Sequence, residues 1–397
     1  LAEGKFHIGY DAKRLFFNES GLGNYSRTLV ENILDFSREQ GDSNLDISLF
    51  TSKLPSLKFN NKHTGIGNAL LGNSMSVITP KYIHPLWRTW GMGRSAGDQE
   101  VDVFHGLSNE LPIDLPKRIL PVVTIHDVLF KQFPKQYSWI DRVIYHQKTS
   151  FALKKASKII ATSKATALDI HQYYSVPLSK IDVVYQSIQK EFVDQSFWVE
   201  LKENKQDLPE LITRITSESP YLIYHSTFNY RKNHLRLLRA FEEIKDQVEF
   251  NLILPGFMGR SWKKVGDFIK EKQLQHRVYP MGEVSTAALI YLLSNASGFI
   301  YPSLNEGFGI PLAEAAALKL PFMVSDIPVF RELMGEGHHE LLFQPKDVTS
   351  IARALLTMNE QLQQSHGVEH WTSVHSEILE KTHPNKVAEQ LLRIYQR

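Results

Sequence analysis

Short apolar, β-branched runs alternate with amphipathic stretches along this chain, an alternation that predicts βαβ units built on parallel sheets. In the first half, strands are expected at KFHIGYD, LDISLFT, VDVFHG, PVVTIHDV, KIIATS and IDVVY, with helices between them, notably over 25–36 and 139–156. From Gln186 to Pro220 the pattern weakens into the polar segment DQSFWVELKENKQDLPELITRITSESP, which reads as an inter-domain connection. A second series follows: YLIYHST, a helix from about His234, VEFNLILPG, RVYPMGEV, the helical STAALIYLLSNA, GFIYPS, a helix after Pro311, PFMVSD and HELLFQP. The chain closes on PNKVAEQLLRIYQR, where Val387, Leu391 and Ile394 recur at helical spacing behind Pro384. The fold class expected is therefore α/β, with two parallel-sheet domains of similar size. No strict repeat interrupts the pattern.

Length supports that division, because 397 residues exceed what one ordinary core holds. A formal net charge of +2 does not indicate a nucleic-acid binder. With no cysteine, disulfides, thiolate metal sites and a cysteine nucleophile are excluded. No run of about 18 apolar residues is present to span a membrane. The opening residues lack a charged segment leading into an apolar one, so no signal peptide is expected.

Ligands of open α/β sheets sit at the carboxyl ends of the strands, which directs attention to the residues after each predicted strand. After the first, Gly21 and Gly23 would let backbone approach a ligand at a helix start, although a plain turn reads the same way. His126 and Asp127 leave the run PVVTI, where an imidazole can be oriented toward a polar ligand. His105 holds a comparable place after VDVF, and a packed histidine is the better reading there. In the second half, Arg231 and Lys232 precede a helix, a fork and a point charge suited to a diphosphate or to a solvated turn. The loop YPSLNEGFGIPLAEA suits an anion, yet Glu306 and Glu314 flank it. No Asp-x-Asp pair is present to hold a divalent cation on a diphosphate, and no zinc-like cluster is evident.

Those residues carry a family resemblance. YPSLNEGFGIPLAEAAAL resembles the E-x7-E signature of glycosyltransferase family 4, the retaining nucleotide-sugar transferases of the GT-B fold. RKNHLRLLRAF, MGEVSTAALIYLLSNASGFIYPS, GLGNYSR, TIHDVLFKQFP and FHGLSNELP are also similar to the family, and in its order. The N-terminal phrases resemble bacterial O-antigen and capsule mannosyltransferase-like members. The resemblance implies two Rossmann-like domains facing each other across a cleft: an acceptor domain over 1–186, a connection over 187–219 and a donor domain over 220–375. A C-terminal helix within 376–397 would cross back to the first domain.

By the same resemblance, Glu314 would hydrogen-bond the donor ribose, amides around Phe308, Gly309 and Ile310 would meet the diphosphate and sugar, and Glu306 would meet sugar hydroxyls. Lys232, helped by Arg231, would neutralise the diphosphate. Glu283 and Val284 would cradle the base, Gly21 and Gly23 would approach the phosphates from the opposite domain, and His126 would lie near the transferred sugar. His126, Glu306 and Lys232 are thus the implied catalytic residues. The implied donor is a nucleoside-diphosphate sugar, GDP-mannose ahead of a UDP-sugar, with a glycan or lipid-linked acceptor and no metal cofactor. A cytoplasmic location follows, with peripheral membrane contact suggested by Trp87, Arg88, Trp90 and Arg94 in the segment 81–94; a packed segment is the competing reading. Two departures stand out: Ser226 and Thr227 occupy the place of a Gly-Arg pair common in the family, and Gln186 and Ser187 replace a common Asn-Gly. Competing functions are an epimerase or phosphorylase of similar architecture, a hydrolase using Glu306 and Glu314 as an acid/base pair, and a non-catalytic nucleotide-sugar-binding protein.

Overall fold

The computed structural model describes residues 5–41, 44–56, 59, 64–72, 74–82, 86–194, 196–198, 201, 210–363 and 368–396. Much of the expected connection (195, 199–200 and 202–209) and positions 83–85 of the aromatic-basic segment lie outside the described residues. The chain divides into two compact units, one of Leu1–Ser187 with Thr382–Arg397, the other of Ile188–Lys381.

In the first unit the described strands are β1 (Phe6–Asp11), β2 (Leu45–Phe50), β3 (Ser76–Ile78), β4 (Val103–Gly106), β5 (Leu120–Ile125), β6 (Lys158–Ala161) and β7 (Ile181–Val183). They pair in parallel in the order β3-β2-β1-β4-β5-β6-β7, so the direction of winding reverses between β1 and β4. The strand runs are continuous apolar stretches because helices cover both faces of such a sheet; all of β4, for example, is buried. The helix Gly21–Glu39 starts four residues earlier than its apolar pattern suggests. Its entry is fixed by Asn18, whose Oδ1 accepts from Ser20 N (2.9 Å) and Gly23 N (3.2 Å). Trp139–Lys155 begins at Ser138, which caps Asp141 N at 3.1 Å. Strand β3 was not legible because three partly exposed residues carry no alternation.

The C-terminal helix Pro384–Tyr395 belongs to this unit and packs on Gly21–Glu39. Val387, Leu391 and Ile394 enter the same core as Ile8, Tyr10 and Leu29. Tyr395 Oη lies 2.7 Å from His105 Nδ1, and His105 Nε2 lies 2.8 Å from Thr124 Oγ1. His105 is therefore a packed core histidine; burial, with a smaller contribution from His126, lowers its pKa to about 3.

The second unit carries β8 (Tyr221–Ile223), β9 (Asn251–Pro255), β10 (Val278–Gly282), β11 (Gly298–Tyr301), β12 (Phe322–Ser325) and β13 (Leu342–Phe343). Their parallel order is β10-β9-β8-β11-β12-β13, with the reversal between β8 and β11. The helix expected after Pro311 starts at Ile310, placing the proline in the first turn, where its missing N–H costs no intrahelical bond. Among the described residues, no helix is long and apolar enough to cross a membrane.

Candidate functional site

In the second unit the candidate residues converge from the two strands at which winding reverses, where the diverging connections leave a crevice. After β8, the chain bonds to its neighbour (Ser226 N to Pro255 O, 2.9 Å) and turns at Asn229, whose side chain caps Lys232 N at 3.2 Å. Asn233 follows with φ 64°, a left-handed conformation asparagine tolerates, and its amide donates to the Pro302 and Pro345 carbonyls at 2.9 and 2.7 Å. These bonds tie the basic turn to the loop after β11. The result is one cluster: Lys232 Nζ donates to Glu306 Oε1 at 2.6 Å, Ser303 Oγ donates to the same oxygen at 2.6 Å, and Arg231 donates to Oε2.

Glu306 is buried, which pushes its carboxyl pKa up, but Arg231 and then Lys232 outweigh that and hold it at about 2. It is an anion throughout the working pH range. With both cations, the cluster carries one net positive charge beside the first turn of the helix Ile310–Ala317, whose dipole end is also positive. Gly309, the residue before that helix, has φ 115°, a conformation glycine adopts readily, and a Cβ there would lie 2.7 Å from the Phe330 ring. Glu314, buried on the same helix, accepts from His225 Nε2–H at 2.7 Å. His225 Nδ1 is buried without a partner among the described residues.

His225 and Ser303 were missed by the sequence reading. Their only signal was position, one just after β8 and the other just after β11. Ser226 and Thr227 place no cation at the end of β8; Ser226 Oγ instead meets His234 Nε2 at 3.2 Å. His234 is stacked on Phe228 (centroids 4.2 Å apart), and its burial, with Lys232 adding to it, lowers its pKa to about 3. Phe308 is buried, Glu283 is exposed and Val284 half-buried just after β10.

The first unit holds the remaining candidates. A Cβ at Gly21 would meet nothing within 4 Å, whereas one at Gly23 would fall 1.6 Å from the Asn18 carbonyl oxygen. Gly23 is thus required by close packing, and Gly21 is not. His126 Nε2–H donates to the Leu107 carbonyl at 2.8 Å, and Nδ1 accepts from the Gln186 amide at 3.2 Å. Burial dominates its titration and lowers it to about 4, so the ring is neutral near pH 7. Gln186 therefore orients this imidazole, and Ser187 accepts from Asn32 Nδ2. In the segment 81–94, Trp87 is buried in the core and Arg88 is paired with Asp11 and Glu110; Trp90 and Arg94 are exposed. The packed reading holds for its first two motivating residues.

Four buried histidines make a stability prediction. His105 and His234 titrate at about 3, and His126 and His375 at about 4, each lowered chiefly by burial. The unfolded chain takes up these protons near pH 6.5 while the folded chain does not, so stability is full above about 6.5 and falls as pH drops toward the folded values. Each contributes up to about 1.4 kcal/mol per pH unit within that window. Urea midpoints at pH 7.5, 6 and 5 should decline in that order; an unchanged midpoint would contradict this burial.

Residues 31–192 match the model of Glycosyltransferase Family 4, and residues 210–366 match that of Glycosyl transferases group 1. The chain is a family 4 glycosyltransferase. Among curated relatives, it is 25% identical to the O-antigen chain mannosyltransferase B of Escherichia coli over 346 residues, 85% of this chain and 86% of the relative. It is 27% identical to the O-antigen chain mannosyltransferase RfbU of Salmonella typhimurium over 238 residues, spanning 60% of each chain. Among solved structures, Anabaena HepE in complex with UDP and glucose superimposes with a TM-score of 0.68 at 16% identity, covering 99% of both chains. The glycosyltransferase thus has the GT-B fold.

Proposed function

We propose that this glycosyltransferase moves a hexose, mannose from GDP-mannose before a UDP-sugar, to a hydroxyl of a glycan or lipid-linked acceptor with retention of anomeric configuration. The observation that carries the reading is the convergence of Arg231, Lys232, Glu306 and Glu314 on the switch point between β8 and β11. The likeness to two O-antigen chain mannosyltransferases supports the choice of sugar. In this reading the second unit holds the donor and the first unit the acceptor.

The leaving diphosphate gains negative charge in the transition state. Arg231, Lys232 and the dipole of the helix Ile310–Ala317 are fixed before the reaction, so they stabilise that charge without reorganising. Glu306 and Glu314 accept from sugar and ribose hydroxyls, and the protein's own cations take the place of a metal. Same-face displacement assisted by the leaving group gives retention. The hydrolase alternative needs one carboxyl with a raised pKa as proton donor, a role that Glu306, held at about 2 by Arg231 and Lys232, does not fit.

Thermal unfolding with a panel of GDP- and UDP-sugars tests the donor. A sugar nucleotide at about 100 times its Kd raises stability by about 2.7 kcal/mol if it binds only the folded state. The α-configured product, followed by NMR with and without added acceptor, tests retention. Inverted product, or hydrolysis unaffected by acceptor, would overturn the mechanism.

A further inference from the structure

The helix Trp139–Lys155 carries apolar side chains on the side where a helix in water carries polar ones. Its buried residues Thr149, Ala152 and Leu153 mark the face that packs on the sheet. At roughly 100° per residue, positions 139, 140, 143 and 144 fall on the opposite face. Those positions hold Trp139, Ile140, Val143 and Ile144, which are between 40% and 71% exposed. An exposed apolar stripe of this kind marks an interaction surface.

The stripe has a neighbour of similar character. Thr89 of the segment 81–94 and Gln147 of the helix line one pocket, and Trp87 and Met92 share a core with Ala152 and Leu153, so the two segments pack side by side. On that neighbour Leu86 and Trp90 are exposed.

Charge selects the occupant. From Lys131 to Lys155 the chain has six cations and one acid, and 81–94 adds three cations and no acid, in a protein of net charge +2. The rest of the chain is therefore net negative, and positive charge is concentrated in these two segments. Lys135, Arg142 and Lys154 are exposed on or beside the helix, and Lys81 and Arg94 on its neighbour. The nearby acids already have partners. Ser138 Oγ donates to Asp141 at 2.7 Å, and the Gly91 and Gly93 amides donate to Asp114 at 2.7 and 3.1 Å. Asp11 and Glu110 face Arg88 and Lys13, and Glu110 also meets Lys148. A second copy docked through the same face would set cation against cation, because a two-fold interface pairs one patch with itself. An anionic bilayer attracts the cations and takes tryptophan and aliphatic side chains into its headgroup boundary.

We propose that the outward face of the helix Trp139–Lys155 docks on an anionic lipid surface, with Trp139, Ile140, Val143 and Ile144 in the headgroup boundary and the exposed cations of both segments against the headgroups. The partner is independent of the donor reading, since none of these side chains belongs to the second unit.

Flotation of the full chain with phosphatidylcholine vesicles holding about 30% phosphatidylglycerol tests this. The expected result is binding that weakens at least about tenfold on pure phosphatidylcholine, at about 0.5 M salt, and in Lys135→Glu/Arg142→Glu. Ile140→Ser/Ile144→Ser should lose at least about tenfold as well. The anionic vesicles should also shift tryptophan emission to the blue, by less in Trp139→Phe, which places Trp139 itself at the lipid. All of these side chains are exposed, so the variants should keep the wild-type Tm and the wild-type response to nucleotide sugars. Absence of binding to the anionic vesicles overturns the proposal. So does binding that the serine variant leaves unchanged. A wild-type dimer in sedimentation velocity that the serine variant dissociates would assign the face to a second copy and overturn it too.

Discussion

Lys232→Ala should lower kcat/KM for the sugar nucleotide at least about tenfold, a loss of roughly 1.4 kcal/mol in transition-state stabilisation. Two effects add. In the proposed donor site the leaving diphosphate would lose one of two fixed cations, and Glu306 loses the donor 2.6 Å from its Oε1. With Arg231 and Ser303 left on it, the Glu306 carboxylate is still partnered, so the variant should fold. Lys232→Arg should recover part of the rate, because a guanidinium keeps the charge but not the compact geometry. Steady-state kinetics with circular dichroism as a folding control decide this. A folded Lys232→Ala enzyme with wild-type kcat/KM would remove Lys232 from the site.

Gly23→Ala should be the most damaging single methyl in the first unit. The added Cβ would fall 1.6 Å from Asn18 O and 2.6 Å from its carbonyl carbon, so the backbone must move. The same carbonyl accepts from Arg27 Nη1 at 3.0 Å, and Arg27, fully buried, also holds the Leu15 carbonyl at 2.8 Å. Displacing Asn18 therefore strains the partner of a buried charge. Overpacking of this kind costs about 1–3 kcal/mol, which for a unit of this size lowers Tm by roughly 2–12 °C. Gly21→Ala is the control, since nothing lies within 4 Å of its Cβ. Differential scanning calorimetry should show the first variant shifted and the second at wild-type Tm; equal values would contradict the packing.

The contrast between those glycines shows what a sequence conveys. Both look alike in GLGNYSR, and only the fold reveals that one abuts a carbonyl while the other faces open space. The parallel-sheet class was legible because buried strands leave unbroken apolar runs, as in NLILP of β9. The E-x7-E block was legible because it lies within one local segment. His225 was not, since its contact with Glu314 spans 89 residues and depends on β8 pairing with β11. The pairing of Arg231 and Lys232 with Glu306 was equally hidden: the sequence separates cations from carboxylate by about 75 positions. The pairing of Arg88 with Asp11 and Glu110 needed the structure most, because it joins three segments and the sequence left its stretch open between membrane contact and a packed segment.

The central claim is that the second unit holds a nucleotide sugar between the basic turn and Glu314. Equilibrium titration of GDP-mannose and of UDP-glucose into wild type, Lys232→Ala and Glu314→Ala tests it most directly. The account predicts saturable one-to-one binding of at least one donor to wild type, weakened about tenfold or more in each variant. Absence of binding by either donor, or affinity unchanged in both variants, would contradict it.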